Sequence, residues 1–196
     1  MNYLLGCVLC YLLGGIPFSV LFSRGLLSND VRWHGSGNPG TSNMTRAFGV
    51  KYGLLVLLFD MAKGFAAVYL GQWLMGDLGA YIGGLCAVAG HNWPVYLKFK
   101  GGKGVATTIG VMLAFAPYLT LICMACFLTV LLISRYFSLG SLVSLGLLWI
   151  LILLFHFSQT YLVVLCTVLV FAAYIQHTPN IKRLKNGTEN KFGRDH

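Results

Sequence analysis

Long apolar runs separated by short polar segments dominate this chain of 196 residues. Seven runs can be distinguished, and they cover residues 3–23, 53–75, 79–97, 105–116, 118–133, 139–155 and 160–176. A helix that crosses the hydrocarbon core of a bilayer needs ~20 apolar residues. The pattern therefore predicts an all-α, polytopic integral membrane protein, a single domain over residues 1–196, with about seven transmembrane helices.

The last four runs are shorter than a full crossing, because residues 105–133 and 139–176 must each supply two crossings. Pro117 is expected to break the first of these stretches, since proline inside a helix removes a hydrogen bond and clashes with the preceding turn. Residues 158–160, Ser-Gln-Thr, are expected to turn the second. Some helices are therefore predicted to be short, tilted or partly re-entrant.

Basic residues set the predicted orientation. The net charge is +9, and thirteen of the fourteen Lys and Arg residues lie outside the apolar runs. Basic residues in short loops mark the cytoplasmic side, and with seven crossings every basic loop falls on that side. No basic residue precedes the first run and Arg24 follows it, which is typical of an uncleaved span. The N-terminus is predicted outside and the C-terminus in the cytoplasm.

Lys63 is the exception, because it lies within an apolar run. Asp60 precedes it by three residues and shares its helical face. A lone ion at the bilayer centre costs ~2.5–3.5 kcal/mol, so the sequence predicts an ion pair. Two roles stay open for this pair, a structural one near the cytoplasmic mouth and a direct one at a polar cavity. Gly79 and Gly83, spaced as G-x-x-x-G, are expected to allow close helix packing.

Residues 34–46, HGSGNPGTSNMTR, form a polar, glycine-rich loop in this apolar chain. Such a run of turn-forming residues can point several backbone N–H groups into one concavity that suits phosphate oxygens. A helix is expected from about Ser42, and its N-terminal dipole also favours an anion. Arg46 follows one turn later and offers a forked pair of donors. The alternative is a flexible connection.

A second polar stretch, GHNWPVYLKFKGGKGVAT at residues 90–107, places Lys103 among three glycines, Gly101, Gly102 and Gly104. The Walker A pattern requires a glycine where Leu97 stands and Ser or Thr where Gly104 stands, so the pattern is not that of a nucleotide-binding loop. Close backbone approach beside a positive charge at a helix start still favours an anion site. The alternative is a solvated basic loop.

Two further stretches carry polar side chains. Residues 134–142 contain Ser138 and Ser141 beside Arg135, although a serine-capped helix start explains them almost as well. His177 and Asn180 follow the last apolar run, at the level expected of the same cytoplasmic mouth. A basic tail lying on anionic headgroups is the alternative there, and it explains Lys182, Arg183 and Lys185 better than His177 and Asn180.

Acidic residues are scarce. They are Asp30, Asp60, Asp77, Glu189 and Asp195. No two of them cluster with a histidine along the sequence, so no bound metal is expected, and no G-x-S-x-G motif is present. Cations, amides and hydroxyls without carboxylates indicate a site for two or more phosphate-like charges at a membrane surface.

Five stretches resemble the bacterial acyl-phosphate:glycerol-3-phosphate acyltransferases, the PlsY family, in the same order along nearly the whole chain: GSGNPGTSNMTRAFG, DMAKG, GHNWPVYLKFKGGKGVATTIGV, RYFSLGSL and HTPNIKRLKNGTENK. The resemblance implies a multi-pass enzyme of the bacterial inner membrane with its active site facing the cytoplasm. It would transfer a fatty acyl group from acyl phosphate to the 1-hydroxyl of glycerol 3-phosphate, giving lysophosphatidic acid and inorganic phosphate. Thr41-Ser42 and Thr178-Pro179 depart from the family pattern.

The resemblance also implies site residues. Acyl phosphate would be held by Gly35, Ser36, Gly37, Asn38, Gly40, Asn43, Gly101, Gly102 and Lys103. Glycerol 3-phosphate would be held by Ser36, Arg46, Lys103, Ser141, His177 and Asn180, and catalysis is assigned to Lys103, Arg46, Ser141 and His177. The expected partners are the two substrates and membrane lipids, with no cofactor, metal or nucleic acid.

The family implies no dedicated side-chain base, with a substrate phosphate accepting the hydroxyl proton. His177 and His91 are the side-chain alternatives, since the unperturbed pKa of histidine is near ~6.5. His91 is instead expected to be a packing histidine whose N–H orients the Gly90–Pro94 turn.

A transporter of phosphate or phosphorylated glycerol would use the same cations, but it should show midplane binding groups and often an internal repeat, and no repeat is found in the sequence. An alcohol phosphotransferase would need acidic metal ligands.

Overall fold

The computed structural model describes residues 2–193, which form ten α-helices and no β-strand. The helices are α1 (Tyr3–Gly15), α2 (Phe18–Leu27), α3 (Thr41–Phe48), α4 (Val50–Met75), α5 (Asp77–Asn92), α6 (Val105–Phe115), α7 (Pro117–Ser134), α8 (Phe137–Phe155), α9 (Thr160–Gln176) and α10 (Thr178–Lys185). Short 3-10 turns cover Val31–Trp33 and Val95–Leu97. The all-α class is confirmed, and Asp195 lies outside the described residues.

Within residues 2–193, three helices are long and apolar enough to cross a membrane singly: α4 with 26 residues, α7 with 18 and α8 with 19. The bent pairs α1–α2 and α9–α10, which turn by 41° and 55°, raise that number to five if each pair is one span. Helix α6 is apolar but shorter, and at ~1.5 Å per residue its length falls well short of the ~30 Å hydrocarbon core. The count of seven crossings and the orientation of the termini stay predictions.

Proline lies at several of the helix boundaries among residues 2–193. Helix α7 begins at Pro117 and α9 at Thr160, so both breaks predicted in the long apolar stretches are confirmed. The run predicted as one span over 3–23 is divided at Ile16–Pro17, because proline has no N–H to continue the helical ladder. Helix α5 ends at Asn92 rather than near residue 97, since the residue before Pro94 is disfavoured in helical conformation.

The described residues divide into two compact units, the first ending at Ala114 and the second beginning at Phe115. The single domain predicted over 1–196 stays a prediction. In the first unit α4 packs on α5 through glycines. A Cβ at Gly79 would overlap the carbonyl oxygen of Gly71, and a Cβ at Gly83 would overlap that of Ala67. The predicted packing role of Gly79 and Gly83 is confirmed.

A small buried cluster in the first unit supports the 34–46 loop. It consists of Val20 from α2, Val31, Met44 from α3 and Val56 from α4. Val31 lies just before the loop and Met44 near its end, and neither side chain is exposed. Burial of such side chains contributes ~1.5–3 kcal/mol each, so both ends of a polar loop are fixed by apolar contacts.

The second unit contains α7 to α10. Its largest fully buried side chains lie on α8 and α9: Leu145, Leu148, Ile152, Leu162 and Leu169. Helix α10 is short and polar, and the chain after it returns to the turn between α7 and α8, where Phe192 N donates to the carbonyl oxygen of Arg135 at 2.7 Å.

Candidate functional site

Asn43, in the first turn of α3, closes the 34–46 loop. Its Nδ2 donates to the carbonyl oxygens of Val31 and His34, both at 2.9 Å, and its Oδ1 accepts from Ser36 N at 3.0 Å. The side chain is 1% exposed. The structure gives the Asn43 amide three hydrogen bonds, two within the loop and one to Val31 just before it, so Asn43 sets the shape of the loop. Its contact with a bound phosphate stays a prediction.

Glycine conformation and the start of α3 shape the concave side of this loop. Gly35 and Gly37 have φ of 54° and 69°, the left-handed region that favours glycine. Gly37 N donates to the carbonyl oxygen of His34 at 3.0 Å, and Gly40 N to that of Asn38 at 2.9 Å. Within the described residues no side chain caps α3, so its first amides present the positive end of the helix dipole to the loop. Arg46 is half-buried in the last turn of this helix.

Asp30 anchors the chain just before the loop, a role that the sequence reading missed. Its Oδ2 lies 2.7 Å from both Arg24 Nη2 and Arg32 Nη2, and its Oδ1 accepts from Arg32 N at 3.0 Å. The hydrogen bonds from Arg32, which outweigh burial, hold the pKa of Asp30 well below its ordinary range, with Arg24 adding to the effect. The signal in the sequence was a single acid between two arginines.

The glycines before α6 are required by close backbone contact with the end of α5. Gly101 N donates to the carbonyl oxygen of Asn92 at 3.2 Å, and Gly102 N to that of His91 at 3.1 Å. A Cβ at Gly102 would overlap Nε2 of His91, and a Cβ at Gly104, whose φ is 76°, would lie 2.6 Å from Oδ1 of Asn92. These two amides are already engaged within the protein. The segment can therefore offer an anion two things, a close approach to the backbone at its glycines and the positive charge of the half-buried Lys103.

The predicted ion pair on α4 is confirmed. Lys63 Nζ lies 2.7 Å from Asp60 Oδ1 and donates to the carbonyl oxygen of Ile16 at 2.8 Å. His91 Nδ1 lies 3.7 Å from the same Asp60 oxygen, too far for a hydrogen bond. His91 is a buried packing histidine, but its ring lies against Gly102 rather than along the Gly90–Pro94 turn.

In the second unit, Glu189 joins two polar side chains that the sequence reading considered separately. Its Oε1 accepts from Ser138 Oγ at 2.8 Å and from Asn180 Nδ2 at 2.6 Å, and its Oε2 accepts from Arg183 Nε at 2.7 Å. Burial alone would raise the pKa of Glu189, but these three hydrogen bonds lower it. Glu189 was missed because it lies nine residues beyond Asn180 in a mostly basic tail.

Ser141 and His177 are also buried and tied to carbonyl oxygens of their own helices. Ser141 Oγ donates to the carbonyl oxygen of Phe137 at 2.9 Å, which leaves its lone pairs as acceptors. The N-cap of α8 is Tyr136, so the alternative of a serine cap is wrong. His177 Nδ1 lies 2.7 Å from the carbonyl oxygen of Ala173, and because a carbonyl only accepts, this nitrogen carries the proton.

The segment after α10 packs on the turn between α7 and α8. The ring of Phe192 meets that of Phe137 edge-on, with centroids 5.4 Å apart. Lys191 Nζ lies 5.4 Å from the centroid of Tyr136, a favourable cation–π distance. These contacts hold the chain just after Glu189, whose carboxylate accepts from Ser138 and Asn180.

Among the described residues, helices long and apolar enough to span a bilayer are typical of an integral membrane protein. The family model of glycerol-3-phosphate acyltransferases matches residues 4–187. The chain belongs to this family and is an integral membrane acyltransferase.

Two curated glycerol-3-phosphate acyltransferases illustrate the relationship. That of Thermoanaerobacter sp. (strain X514) is 40% identical over 193 residues, which cover 98% of this chain and 97% of the relative. That of Clostridioides difficile (strain 630) is 41% identical over 198 residues, which cover 98% and 96%. The similarity therefore extends over both compact units.

Two crystal structures of PlsY, an integral membrane glycerol 3-phosphate acyltransferase, share the fold. The glycerol 3-phosphate form matches with a TM-score of 0.88 and 35% identity, covering 98% of this chain and 96% of that one. The lysophosphatidic acid form matches with a TM-score of 0.87 and 34% identity over the same shares.

Proposed function

We propose that this protein transfers the acyl group of a fatty acyl phosphate to the 1-hydroxyl of glycerol 3-phosphate, releasing lysophosphatidic acid and inorganic phosphate. The observation that supports this reaction most strongly is the match over 98% of the chain to PlsY in its glycerol 3-phosphate and lysophosphatidic acid forms. The donor is inferred from the motifs. Two glycine-rich segments that suit phosphate oxygens are consistent with two phosphorylated substrates and no nucleotide.

The phosphate of the acyl donor is assigned to the 34–46 loop and to the segment before α6. The residues are Gly35, Ser36, Gly37, Asn38, Gly40, Asn43, Gly101, Gly102 and Lys103. Their contributions differ, because the Asn43 amide and several glycine amides are engaged within the protein. The uncapped amides of α3 attract the anion, the glycines let it approach the backbone, and Lys103 supplies positive charge.

Glycerol 3-phosphate is assigned to Ser36, Arg46 and Lys103 in the first unit and to Ser141, His177 and Asn180 in the second. Arg46 offers paired donors that match a phosphate. Ser141 Oγ accepts from a substrate hydroxyl, because its own proton is donated to Phe137. The Asn180 amide is oriented by Glu189 before any substrate binds.

The reaction needs placement and charge stabilisation more than acid or base catalysis. The 1-hydroxyl oxygen of glycerol 3-phosphate attacks the carbonyl carbon, the bond from that carbon to the phosphate oxygen breaks, and the hydroxyl proton passes to a substrate phosphate. Lys103 and Arg46 stabilise the negative charge that develops on the oxygens. His177 binds substrate, and its exchange for Ala should raise KM for glycerol 3-phosphate; a collapse of kcat at unchanged KM would identify His177 as the base.

The membrane arrangement proposed for this enzyme has seven crossings, with the N-terminus outside, the C-terminus inside and the catalytic residues facing the cytoplasm of a bacterium. Basic loops support this orientation. Single cysteines introduced near Arg135, in a variant without the six native cysteines, should react with a membrane-impermeant reagent only in inside-out vesicles. Labelling in intact cells would refute the orientation.

Donor choice tests the reaction itself. The purified protein in detergent is offered palmitoyl phosphate, palmitoyl-CoA or palmitoyl acyl carrier protein, each with glycerol 3-phosphate and EDTA. Only the acyl phosphate should yield lysophosphatidic acid, with one phosphate released per product. Equal product from the thioester donors, or none from acyl phosphate, would overturn the proposal.

A further inference from the structure

The reaction proposed above gives no role to Asp60 and Lys63, although both are buried charges in the apolar helix α4. Each side chain is 2% exposed, and the ionic atoms are 2.7 Å apart. A buried ion pair is weak evidence for stability, because apolar residues of similar volume often serve as well or better. The contacts of the pair with neighbouring segments therefore indicate what it does.

Lys63 joins α4 to the break between α1 and α2. Its Nζ donates to the carbonyl oxygen of Ile16 at 2.8 Å, and it lies 5.6 Å from the ring centroid of Phe18 on the far side of the break. The last carbonyls of a helix lack partners within that helix, and here the lysine ammonium supplies one. Lys63 thereby fixes the start of α2.

Asp60 continues the chain of contacts toward the glycines before α6. His91 Nδ1 lies 3.7 Å from Asp60 Oδ1, and the opposite edge of the ring lies against Gly102. The carbonyl oxygen of His91 accepts from Gly102 N at 3.1 Å. The position of Gly102, and with it that of the next residue Lys103, therefore depends on where the imidazole is held.

A small cavity lies at the meeting point of these groups. Its lining includes Asp60, Lys63 and His91, together with Pro39 from the 34–46 loop and Gly101 and Gly102. The ion pair thus lies between the two segments of the first unit that are assigned to phosphate.

We propose that Asp60, Lys63 and His91 are positioning residues, which hold the Gly101–Gly102 segment and thereby set the place of the Lys103 ammonium relative to the 34–46 loop. This inference rests on the proposed function, in which Lys103 acts on substrate phosphate. A misplacement of about 1 Å can cost about 100-fold in rate, so contacts that do not touch the substrate still control turnover.

Three variants separate positioning from stability. Asp60→Asn leaves an uncompensated buried lysine and should lower Tm strongly, whereas Asp60→Asn/Lys63→Met removes both charges and should return Tm close to that of the wild type. The double variant should nevertheless keep kcat reduced by about 10- to 100-fold, because the carboxylate beside the His91 ring is lost and the Gly101–Gly102 segment is no longer held in place. A double variant with wild-type kcat would overturn the proposal and make the pair purely structural.

The control is Val68→Ala, a buried truncation two turns from Asp60 on the same helix. It should lower Tm while kcat stays unchanged. A loss of kcat equal to that of the double variant would also overturn the proposal.

Amide hydrogen exchange provides a readout that does not depend on turnover. In the double variant the amides of Gly101 and Gly102 should exchange faster, while those in the interiors of α4 and α5 stay protected. His91→Leu, which leaves no unpaired charge, should show the same local change and a lower kcat. Wild-type protection at 101–102 in both variants would refute positioning. If the wild type fails to use acyl phosphate, the proposed function fails, and the exchange result still decides whether these residues hold the segment.

Discussion

The Nδ2 atom of Asn180 lies 2.6 Å from Oε1 of Glu189, so a buried carboxylate orients an amide that is assigned to glycerol 3-phosphate. Ser138 donates to the same oxygen at 2.8 Å. A charged acceptor makes these hydrogen bonds stronger than neutral ones. Glu189, rather than the surrounding tail cations, therefore organises the polar end of the second unit.

Glu189→Ala should raise KM for glycerol 3-phosphate by about 10-fold, because the buried Asn180 amide loses the charged acceptor that helps to orient it, a loss of about 1–3 kcal/mol. KM for acyl phosphate should change little. Initial rates at varied concentrations of each substrate measure both values. Arg183→Ala is the matched control, since it removes a half-exposed partner of the same carboxylate. Equal effects of the two substitutions would show that Glu189 acts only through its ion pair.

Ser141→Ala should reduce kcat/KM for glycerol 3-phosphate at least about 10-fold while Tm stays nearly unchanged. The reason is that its hydroxyl bonds back to its own helix, a contact of little value to folding, whereas its lone pairs are assigned to the substrate. Ser144→Ala is the control, because Ser144 makes a similar bond to the carbonyl oxygen of Ser141 at 3.1 Å. An unchanged rate in Ser141→Ala would remove this residue from the site.

Asp30 should stabilise the protein at neutral pH and lose that effect only in acid. Its pKa is lowered in the folded state, so its contribution is fully present above the ordinary value of about 3.9 and is lost as pH falls through the lower folded pKa. The Tm gap between wild type and Asp30→Asn should stay constant from about pH 8 to 5 and narrow below about pH 4. A gap that widens in acid would contradict this assignment.

Gly102→Ala should inactivate the enzyme, because the added Cβ overlaps the His91 ring. The double variant Gly102→Ala/His91→Ala makes room for that atom and should recover part of the lost activity. Rates of the two variants, normalised to the amount of folded protein, test this relationship. If the second substitution brings no recovery, the glycine is required by the substrate rather than by His91.

Local patterns predicted the break at Pro117, because a proline acts on the helix through its own backbone. They also predicted the Asp60–Lys63 ion pair, because a spacing of three residues places both side chains on one helix face. The division at Pro17 was missed because the apolar run continues through it. Contacts between distant residues were not predictable in the same way. The way the chain folds back decides which groups these amides meet. The side-chain amide of Asn43 bonds within and beside its own loop, and the backbone amides of Gly101 and Gly102 bond to the end of α5.

The central claim is that the Lys103 ammonium acts on substrate phosphate, and the rate of acyl-phosphate-dependent lysophosphatidic acid synthesis by Lys103→Ala tests it most directly. Lys100→Ala, an exposed lysine in the same segment, is assayed beside it in equal amounts of folded, membrane-inserted protein. Lys103→Ala should lose more than about nine-tenths of the wild-type rate, as removal of one stabilising donor costs about 100-fold or more, while Lys100→Ala stays near the wild-type rate. More than a tenth of the rate left in Lys103→Ala, or an equal loss in Lys100→Ala, would contradict the account.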